Sequence, residues 1–323
     1  MNFRSVRRSL IVFIVSIACF SILPGCQKVN SKPAKIRLAI NPVPQNALVL
    51  IAIEKGYFKD EGLDVEVSKF TTGKLAFDAV LGGAADIATV ADLPIMYAIM
   101  SGQKPAVFTT VERSGKSIKV LARADKGIKQ PADLRGKKIA TFKGSSAEFF
   151  LNRFLQKYGM TQKDVEVVQL TPPDMLASIS KGDIDAMCIW EHFIYNAKAT
   201  LKKQNQEAVV FVEPEIYTET ANVATREDYF NKSKPVIDAF MKALRRSEQL
   251  VTQNQIEAQN VVAEFVQLDP TVLKGIWNDF DFKLGLEPKL AEQLKDEAQF
   301  AINAGTLQNN SVIADFRPYL HVD

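Results

Sequence analysis

Hydrophobic and polar positions recur along the chain with two different periods, and their order predicts a first structural unit. Alternating apolar residues predict strands at 36–40, 63–70 and 85–90. Apolar residues three and four positions apart predict helices over 47–58 and 74–83. The pattern therefore predicts a unit that runs strand, loop, helix, strand, helix, strand.

The same order of elements returns about a hundred residues later. Strands are predicted at 137–141, 164–170 and 183–190, with helices over 147–159 and 174–182. The second unit is therefore built like the first.

Short identical sequences also occur at corresponding positions of the two units. The sequence DVEV at 64–67 matches DVEV at 164–167, and G-x-x-D at 83–86 matches G-x-x-D at 182–185. A shared order of elements at a nearly constant offset indicates an internal repeat. We interpret the chain as two similar α/β lobes.

Two α/β lobes place the candidate ligand site at a cleft. Strands that alternate with helices of this length predict parallel sheets with right-handed crossovers, and 323 residues exceed one usual core. Ligands of such sheets bind beyond the carboxyl ends of the strands. We therefore expect a cleft lined by loop residues of both lobes, namely Gln45, Asn46, Gly144, Ser145 and Ser146.

The two serines of the second loop have two interpretations. Ser145 and Glu148 fit a capping box, in which the serine oxygen accepts a backbone N–H and the glutamate reaches back to the cap. If Ser145 is the cap, Ser146 and the free N–H groups of the first helical turn remain for an anion, which the helix dipole favours.

Further candidate ligand contacts lie where strands end. Trp190 would cover an apolar ligand body and Glu191 would accept a hydrogen bond from a ligand amine or the opposite lobe; the alternative is a core tryptophan and a solvated glutamate. Asp92 occupies the analogous strand end of lobe one, where it either contacts the ligand or caps the next helix.

A third group of candidates follows the strand at 63–70. Thr72, Gly73 and Lys74 precede a helix that faces the cleft, which makes them possible ligand contacts. The alternative for Lys74 is an ordinary surface lysine.

The C-terminal third, from about residue 231, is mostly helical. Four segments carry apolar residues at three- and four-residue spacing: 234–251, 256–266, 269–280 and 287–305. The alternative to packing on a lobe is a separate helical module that binds a partner.

The N-terminus has the features of an export signal. Three arginines precede a 14-residue apolar run at 10–23, which is shorter than the roughly 20 residues that span a bilayer core. The following LPGC resembles the lipobox of bacterial lipoproteins, which implies that Cys26 is acylated and begins the mature chain. The alternative is a plain signal peptide over 1–25 with an incidental cysteine. The polar stretch 26–35 is predicted to be a tether.

Charge and cysteine content limit the possible partners. The chain has 40 basic and 37 acidic residues, and the three N-terminal arginines account for the excess. Without a concentrated positive face, nucleic acid is not an expected partner. If Cys19 leaves with the signal and Cys26 carries lipid, Cys188 has no disulfide partner within the chain. We expect Cys188 to be a small buried hydrophobe.

Several segments together resemble the substrate-binding proteins of nitrate/sulfonate/taurine-type ABC importers, over roughly residues 36–230. They are GYFKDEGLDVEV, GGAADIATVADLP, KQPADLRGKKIATFKGSSAEFFL and GDIDAMCIWE. The resemblance implies an α/β type II periplasmic-binding-protein fold with a two-strand hinge near 120–125 and 221–227. The C-terminal helices would pack on lobe one. Lobe one would comprise 36–122 and 226–323, and lobe two 123–225.

The resemblance also implies a function. The protein would capture a small anionic organic ligand of the sulfonate, taurine or nitrate class and deliver it to an ABC transporter permease. We expect an exported monomer that is held at the bacterial membrane by lipid on Cys26 and needs no cofactor.

Three features depart from the family pattern and concern the ligand more than the fold. His192 follows Glu191 where the family often has proline, and the first loop is NPVPQN rather than glycine-rich. The cysteine-rich motif of the related thiamine-pyrimidine proteins is absent.

The alternative function is an enzyme, or a pyrimidine- or heterocycle-binding protein, on the same fold. The sequence has only two histidines, His192 and His321, and it has no H-E-x-x-H, C-x-x-C or G-x-S-x-G motif. Neither histidine has a second ligand at helical or turn spacing, so no metal site is expected. We therefore expect a receptor without catalytic residues.

The lipid anchor can be tested directly. Cys26→Ala should lose both the acyl mass and the membrane fractionation of the wild type, because acylation needs the thiol. Intact-mass spectrometry of both proteins checks this. A wild-type protein that is unacylated while Cys26 is intact would contradict the prediction.

Overall fold

The computed structural model describes residues 33–308 and 312–321, so Cys26 and the predicted signal segment lie outside the described residues. The described chain forms two five-stranded sheets with helices packed against them. The strands are β1 (Ala34–Ile40), β2 (Leu63–Lys69), β3 (Ile87–Ala91), β4 (Pro105–Ser114), β5 (Ile118–Arg123), β6 (Lys138–Thr141), β7 (Glu166–Gln169), β8 (Ala186–Trp190), β9 (Ala208–Phe211) and β10 (Glu219–Arg226).

The α-helices fall largely where apolar spacing predicts them. They are α1 (Ala47–Glu54), α2 (Tyr57–Asp60), α3 (Gly73–Leu81), α4 (Asp92–Met100), α5 (Ser146–Lys157), α6 (Pro172–Lys181), α7 (Glu191–Lys203), α8 (Glu227–Lys232), α9 (Lys234–Gln253), α10 (Gln255–Val266), α11 (Pro270–Ile276) and α12 (Leu290–Asn303).

Each sheet is mixed rather than purely parallel. The strand orders are β2-β1-β3-β10-β4 and β7-β6-β8-β5-β9. In the first sheet β1 runs parallel to β2 and β3, but β10 is antiparallel to β3 and β4. In the second, β6 runs parallel to β7 and β8, but β5 is antiparallel to β8 and β9. The prediction of parallel sheets is therefore wrong for β5 and β10, which enter each sheet from the other lobe against the direction of their neighbours.

The chain passes between the sheets twice, at 115–117 and at 212–218. The hinge predicted near 120–125 and 221–227 lies largely inside β5 and β10, a few residues after these crossings, and so do the predicted lobe boundaries after residues 122 and 225. The two crossings touch, because a Cβ on Gly115 would meet the carbonyl oxygen of Pro214 at 2.7 Å. A side chain at position 115 therefore has no room unless one crossing moves.

The internal repeat is confirmed at the level of hydrogen bonds. The Asp86 carboxylate accepts from the backbone N–H of Arg37 at 2.9 Å, and the Asp185 carboxylate accepts from that of Lys138 at 2.9 Å. In both cases the aspartate precedes the third strand of its lobe and holds the first. The glycines of the two G-x-x-D segments also match, since both have positive φ, near 80°.

Two hydrophobic clusters fill the fold. One packs α1, α9 and α10 against the first sheet, where the Phe58 and Phe108 rings lie 4.6 and 5.9 Å from that of Phe240. The other extends from the second sheet through α5 to α4 and α12, with the rings of Phe149 and Phe300 5.0 Å apart. The C-terminal helices therefore pack on lobe one, and α12 also contacts lobe two.

Two negative findings apply to residues 33–308 and 312–321. None of their helices combines the length and apolar character needed to cross a bilayer. In the same residues, histidine, cysteine and acidic side chains do not cluster in groups of three or more that could hold a metal ion.

The contact between the crossings predicts a cost for a small substitution. Gly115→Ala should lower the free energy of unfolding by about 1–3 kcal/mol, because backbone atoms must shift to admit the methyl group. Urea denaturation measures this. The control is Gly275→Ala, since a Cβ at Gly275 in α11 meets nothing within 4 Å. A Gly115→Ala protein as stable as the Gly275→Ala control would contradict the prediction.

Candidate functional site

A small cavity lies where loops of both lobes converge beyond the strand ends. Its volume is about 40 Å³, and its lining comes from the loop after β1, the start of α3, the start of α5 and the strands β3, β8 and β10. Eight predicted contact residues line it: Gln45, Asn46, Thr72, Gly73, Lys74, Ser145, Ser146 and Trp190. Gly144 lines an adjoining, wider cavity of about 790 Å³, which shares Lys74, Pro94 and Phe142 with the first.

Turn and cap chemistry positions the wall of lobe one. Asn46 is fixed by its side-chain amide, which donates to the carbonyl oxygen of Asn41 at 2.7 Å. Thr72 caps α3, because its hydroxyl accepts from the N–H of Leu75 at 3.3 Å. Gln45 is buried, and its side-chain oxygen has no hydrogen-bond partner among the described residues. That oxygen is therefore available to a ligand.

Glycine and lysine complete this wall. A Cβ on Gly73 would come within 3.4 Å of the backbone of Thr89 and Val90, so glycine lets α3 begin directly against β3. The Lys74 ammonium donates to Asp78, one turn further along α3, at 2.7 Å. Lys74 therefore brings a cation to the cavity, with a carboxylate already beside it.

The predicted capping box at the start of α5 is not formed. Ser145 has the extended backbone of a cap, but its hydroxyl donates to the carbonyl oxygen of Phe142 at 2.7 Å. The Glu148 carboxylate accepts from the N–H of Gly144 at 2.8 Å instead of that of Ser145. The tight turn at Gly144, with φ of 70°, explains both changes, because it presents one N–H and one carbonyl oxygen to these side chains.

Glu219, at the start of β10, is a buried carboxylate that lines the same cavity. It was not predicted from the sequence. It accepts hydrogen bonds from the hydroxyl of Ser117 at 2.7 Å and the indole N–H of Trp190 at 2.9 Å. The hydroxyl of Ser146 donates to it as well. Burial raises the pKa of Glu219, and the hydrogen bonds offset part of that rise. The available signal was an acidic residue in the otherwise neutral strand segment ETANVAT.

Asp92 does not line the cavity, and it is not the N-cap residue of α4, which is Ala91, although its carboxylate accepts from the N–H of Leu93 in the first turn at 2.8 Å. It is the first residue of α4, fully buried, and it accepts from the N–H of Thr220 at 3.0 Å and from the hydroxyl of Tyr217. The side-chain amide of Gln293 in α12 donates to it too. Burial and the nearby charge of Glu219 raise the pKa of Asp92 to about 7. Asp92 joins α4, β10 and α12, which leaves it no evident contact with a ligand.

Glu191 also points away from the cavity. Its carboxylate pairs with the Lys119 ammonium at 2.5 Å, and the same ammonium lies 3.2 Å from the carboxylate of Asp279. The reason is local: Trp190 ends β8 and faces the cleft, whereas Glu191 begins α7 and turns towards β5. Burial raises the pKa of Glu191, and its pairing with Lys119 opposes the rise.

Comparison with known proteins is consistent with this geometry. A family model described as NMT1/THI5 like matches residues 43–258, more than half of the chain. A taurine-binding periplasmic protein of Escherichia coli is 27% identical over 225 residues, which cover 68% of this chain and 63% of that protein. A Bacillus subtilis protein, named as a candidate aliphatic sulfonates-binding protein, is 26% identical over 278 residues, with coverage of 81% and 80%.

A solved structure confirms the fold. The alkanesulfonate-binding protein SsuA from Xanthomonas axonopodis pv. citri, bound to MOPS, matches with a TM-score of 0.75 at 18% identity. The match covers 90% of this chain and 99% of that one. The chain therefore has the predicted type II fold of two α/β lobes.

The raised pKa of Asp92 predicts a pH dependence of stability. The folded state retains this proton up to about pH 7, whereas an unfolded aspartate releases it near 3.8, so the free energy of unfolding falls as pH rises between these values. Asp92→Asn should reduce the fall between pH 5 and 7.5 by on the order of 2 kcal/mol.

Urea denaturation at several pH values measures the slope. The control is Asp183→Asn, at an exposed aspartate in the turn before β8, which should keep the wild-type slope. Equal slopes for Asp92→Asn and the wild type would rule out a raised pKa at this position.

Proposed function

We propose, since this chain belongs to the NMT1/THI5-like family, that it is an exported solute-binding protein of an ABC importer. It captures a small anionic organic solute between its lobes and delivers it to a membrane permease. The names of the relatives, which refer to taurine and aliphatic sulfonates, support a sulfonate-class ligand.

The observation that carries the proposal is the convergence of polar loop residues from both lobes on one cavity. A volume of about 40 Å³ holds roughly three water molecules. Such a cavity fits a compact head group, and a longer ligand body extends into the adjoining 790 Å³ cavity past Phe142 and Pro94.

The anionic head is assigned to the start of α5. The first N–H groups of a helix have no acceptor within the helix, and the dipole favours an anion there. Ser145 and Ser146 border this position from lobe two, while Asn46, Thr72 and Lys74 face it from lobe one. Trp190 covers the ligand body. Asp92 and Glu191 are left out of the contact set, because neither lines the cavity and both carboxylates are already bonded to protein groups.

Movement of the lobes controls access to the cavity. Ligand favours the closed form only by making better contacts in that form than in an open one. The segments 115–117 and 212–218 are the positions about which the lobes turn. The proposal also includes the lipid anchor at Cys26, a monomeric state and the absence of catalytic turnover.

Ligand capture predicts two measurable properties. Native mass spectrometry of freshly purified protein should detect a bound small molecule that is released unchanged, and small-angle scattering should show a smaller radius of gyration when that molecule is added back.

Trp190→Ala should weaken binding of the solute at least about tenfold, because the substitution removes the aromatic wall of the cavity. The control is Tyr195→Ala, at a half-exposed tyrosine of α7 outside the cavity. Chemical conversion of the solute without a partner protein would identify an enzyme instead.

A further inference from the structure

The cavity contains hydrogen-bond acceptors that the protein's own donors do not fully satisfy. A carboxylate has about four acceptor sites, and Glu219 receives three protein hydrogen bonds, from Ser117, Ser146 and Trp190. Gln45 also lines the cavity, and its buried side-chain oxygen has no partner in the described part of the chain. Buried polar atoms in native proteins are nearly always paired, so the unpaired oxygen of Gln45 points to a donor that arrives with the ligand. Both oxygens of Glu219 are already paired, but the carboxylate can accept one more hydrogen bond from the same donor.

The charges around Glu219 are also unbalanced. None of the lysine, arginine or histidine side chains in residues 33–308 and 312–321 forms an ion pair with it. The cation that lines the same cavity, Lys74, has its ammonium 2.7 Å from Asp78. Behind the cavity wall lie the buried acids Asp92 and Glu112, and both carboxylate oxygens of Glu112 are without a partner among the described residues.

This arrangement disfavours a ligand that carries only negative charge. Such a ligand would lie beside a buried carboxylate without a counter-ion, and the low polarity of buried surroundings strengthens the repulsion. A ligand with a cationic nitrogen as well as an anionic head would supply the missing counter-ion and the missing donor. Because the cavity is only about 40 Å³, the two groups must be joined by a short linker.

We infer that the cavity selects small zwitterions, with the ligand's ammonium group bound between Glu219 and the side-chain oxygen of Gln45 and its anionic head at the start of α5. This inference rests on the proposed function, and it narrows the sulfonate class to amino-sulfonates. Glu219 sets this specificity because it is the carboxylate that lines the cavity directly.

A matched series of ligands tests the role of the charge. Isothermal titration calorimetry on ligand-free wild type would compare 2-aminoethanesulfonate, 2-hydroxyethanesulfonate and ethanesulfonate, which share a head and a linker. We expect the amino compound to bind at least about 30-fold more tightly than ethanesulfonate, the scale of a lost hydrogen bond to a charged group. The hydroxyl compound separates charge from hydrogen bonding, and it should bind closer to ethanesulfonate than to the amino compound.

Two variants assign the effect to one carboxylate. Glu219→Gln keeps the shape and an acceptor oxygen but removes the charge, so the preference for the amino compound should fall to about threefold or less. Glu166→Gln removes an exposed carboxylate at the start of β7 that does not line the cavity, and it should keep the wild-type preference. Circular dichroism confirms that both variants fold, and the wild-type series remains decisive if Glu219→Gln does not.

The outcomes of these experiments distinguish a failure of the inference from a failure of the proposed function. If the wild type binds ethanesulfonate as tightly as the amino compound, the inference is overturned and the proposed function stands. Equal binding of the amino and hydroxyl compounds also overturns it, because a protonated Glu219 would then serve as a neutral partner. If the three sulfonates all fail to bind, the inference falls together with the ligand class of the proposed function.

Discussion

The hydrogen bonds to the carboxylate of Glu219 join the parts of this protein that must cooperate. Glu219 begins the strand that returns from lobe two, and its partners come from the first crossing (Ser117), from α5 (Ser146) and from the end of β8 (Trp190). One buried side chain thus ties both crossings to the wall of the cavity. Burying a carboxylate is costly unless it is bonded, and these donors offset that cost.

A second buried acid extends the connection to the C-terminal helices. Asp92 bonds to Tyr217 of the return crossing and to Gln293 of α12, and the ring of Tyr217 lies 5.0 Å from that of Phe149 in α5. The helix α12 therefore contacts the crossing and both lobes. Truncating one member of such a network leaves the others buried and unpaired, which makes the network hard to dismantle stepwise.

Local and repeated patterns were predictable from the sequence. The strands and helices of both lobes, the hundred-residue repeat and eight cavity residues follow from periodicity and from the rule that ligands bind at strand ends. The directions of β5 and β10 were not predictable in this way, because pairing between strands that are dozens to more than a hundred residues apart in sequence leaves no local signal. The parallel prediction failed for that reason.

The remaining differences between prediction and structure have two causes. Neighbouring side chains point in different directions, and alternative hydrogen-bond partners compete for the same side chain. Trp190 and Glu191 are neighbours, but the change from strand to helix turns one into the cleft and the other towards Lys119. Ser145 and Glu148 have the spacing of a capping box, but the turn at Gly144 offers each a different partner. Glu219 could not be identified from the sequence, because the donors of its hydrogen bonds, Ser117, Ser146 and Trp190, lie far from it along the chain.

The close approach of Gly115 to Pro214 has a mechanical consequence. Two chain segments in contact constrain each other, so a backbone change in one has to be accommodated by the other. The connection between the two sheets is therefore stiffer than two separate linkers of the same lengths, and any rotation of one sheet relative to the other would bend both segments together.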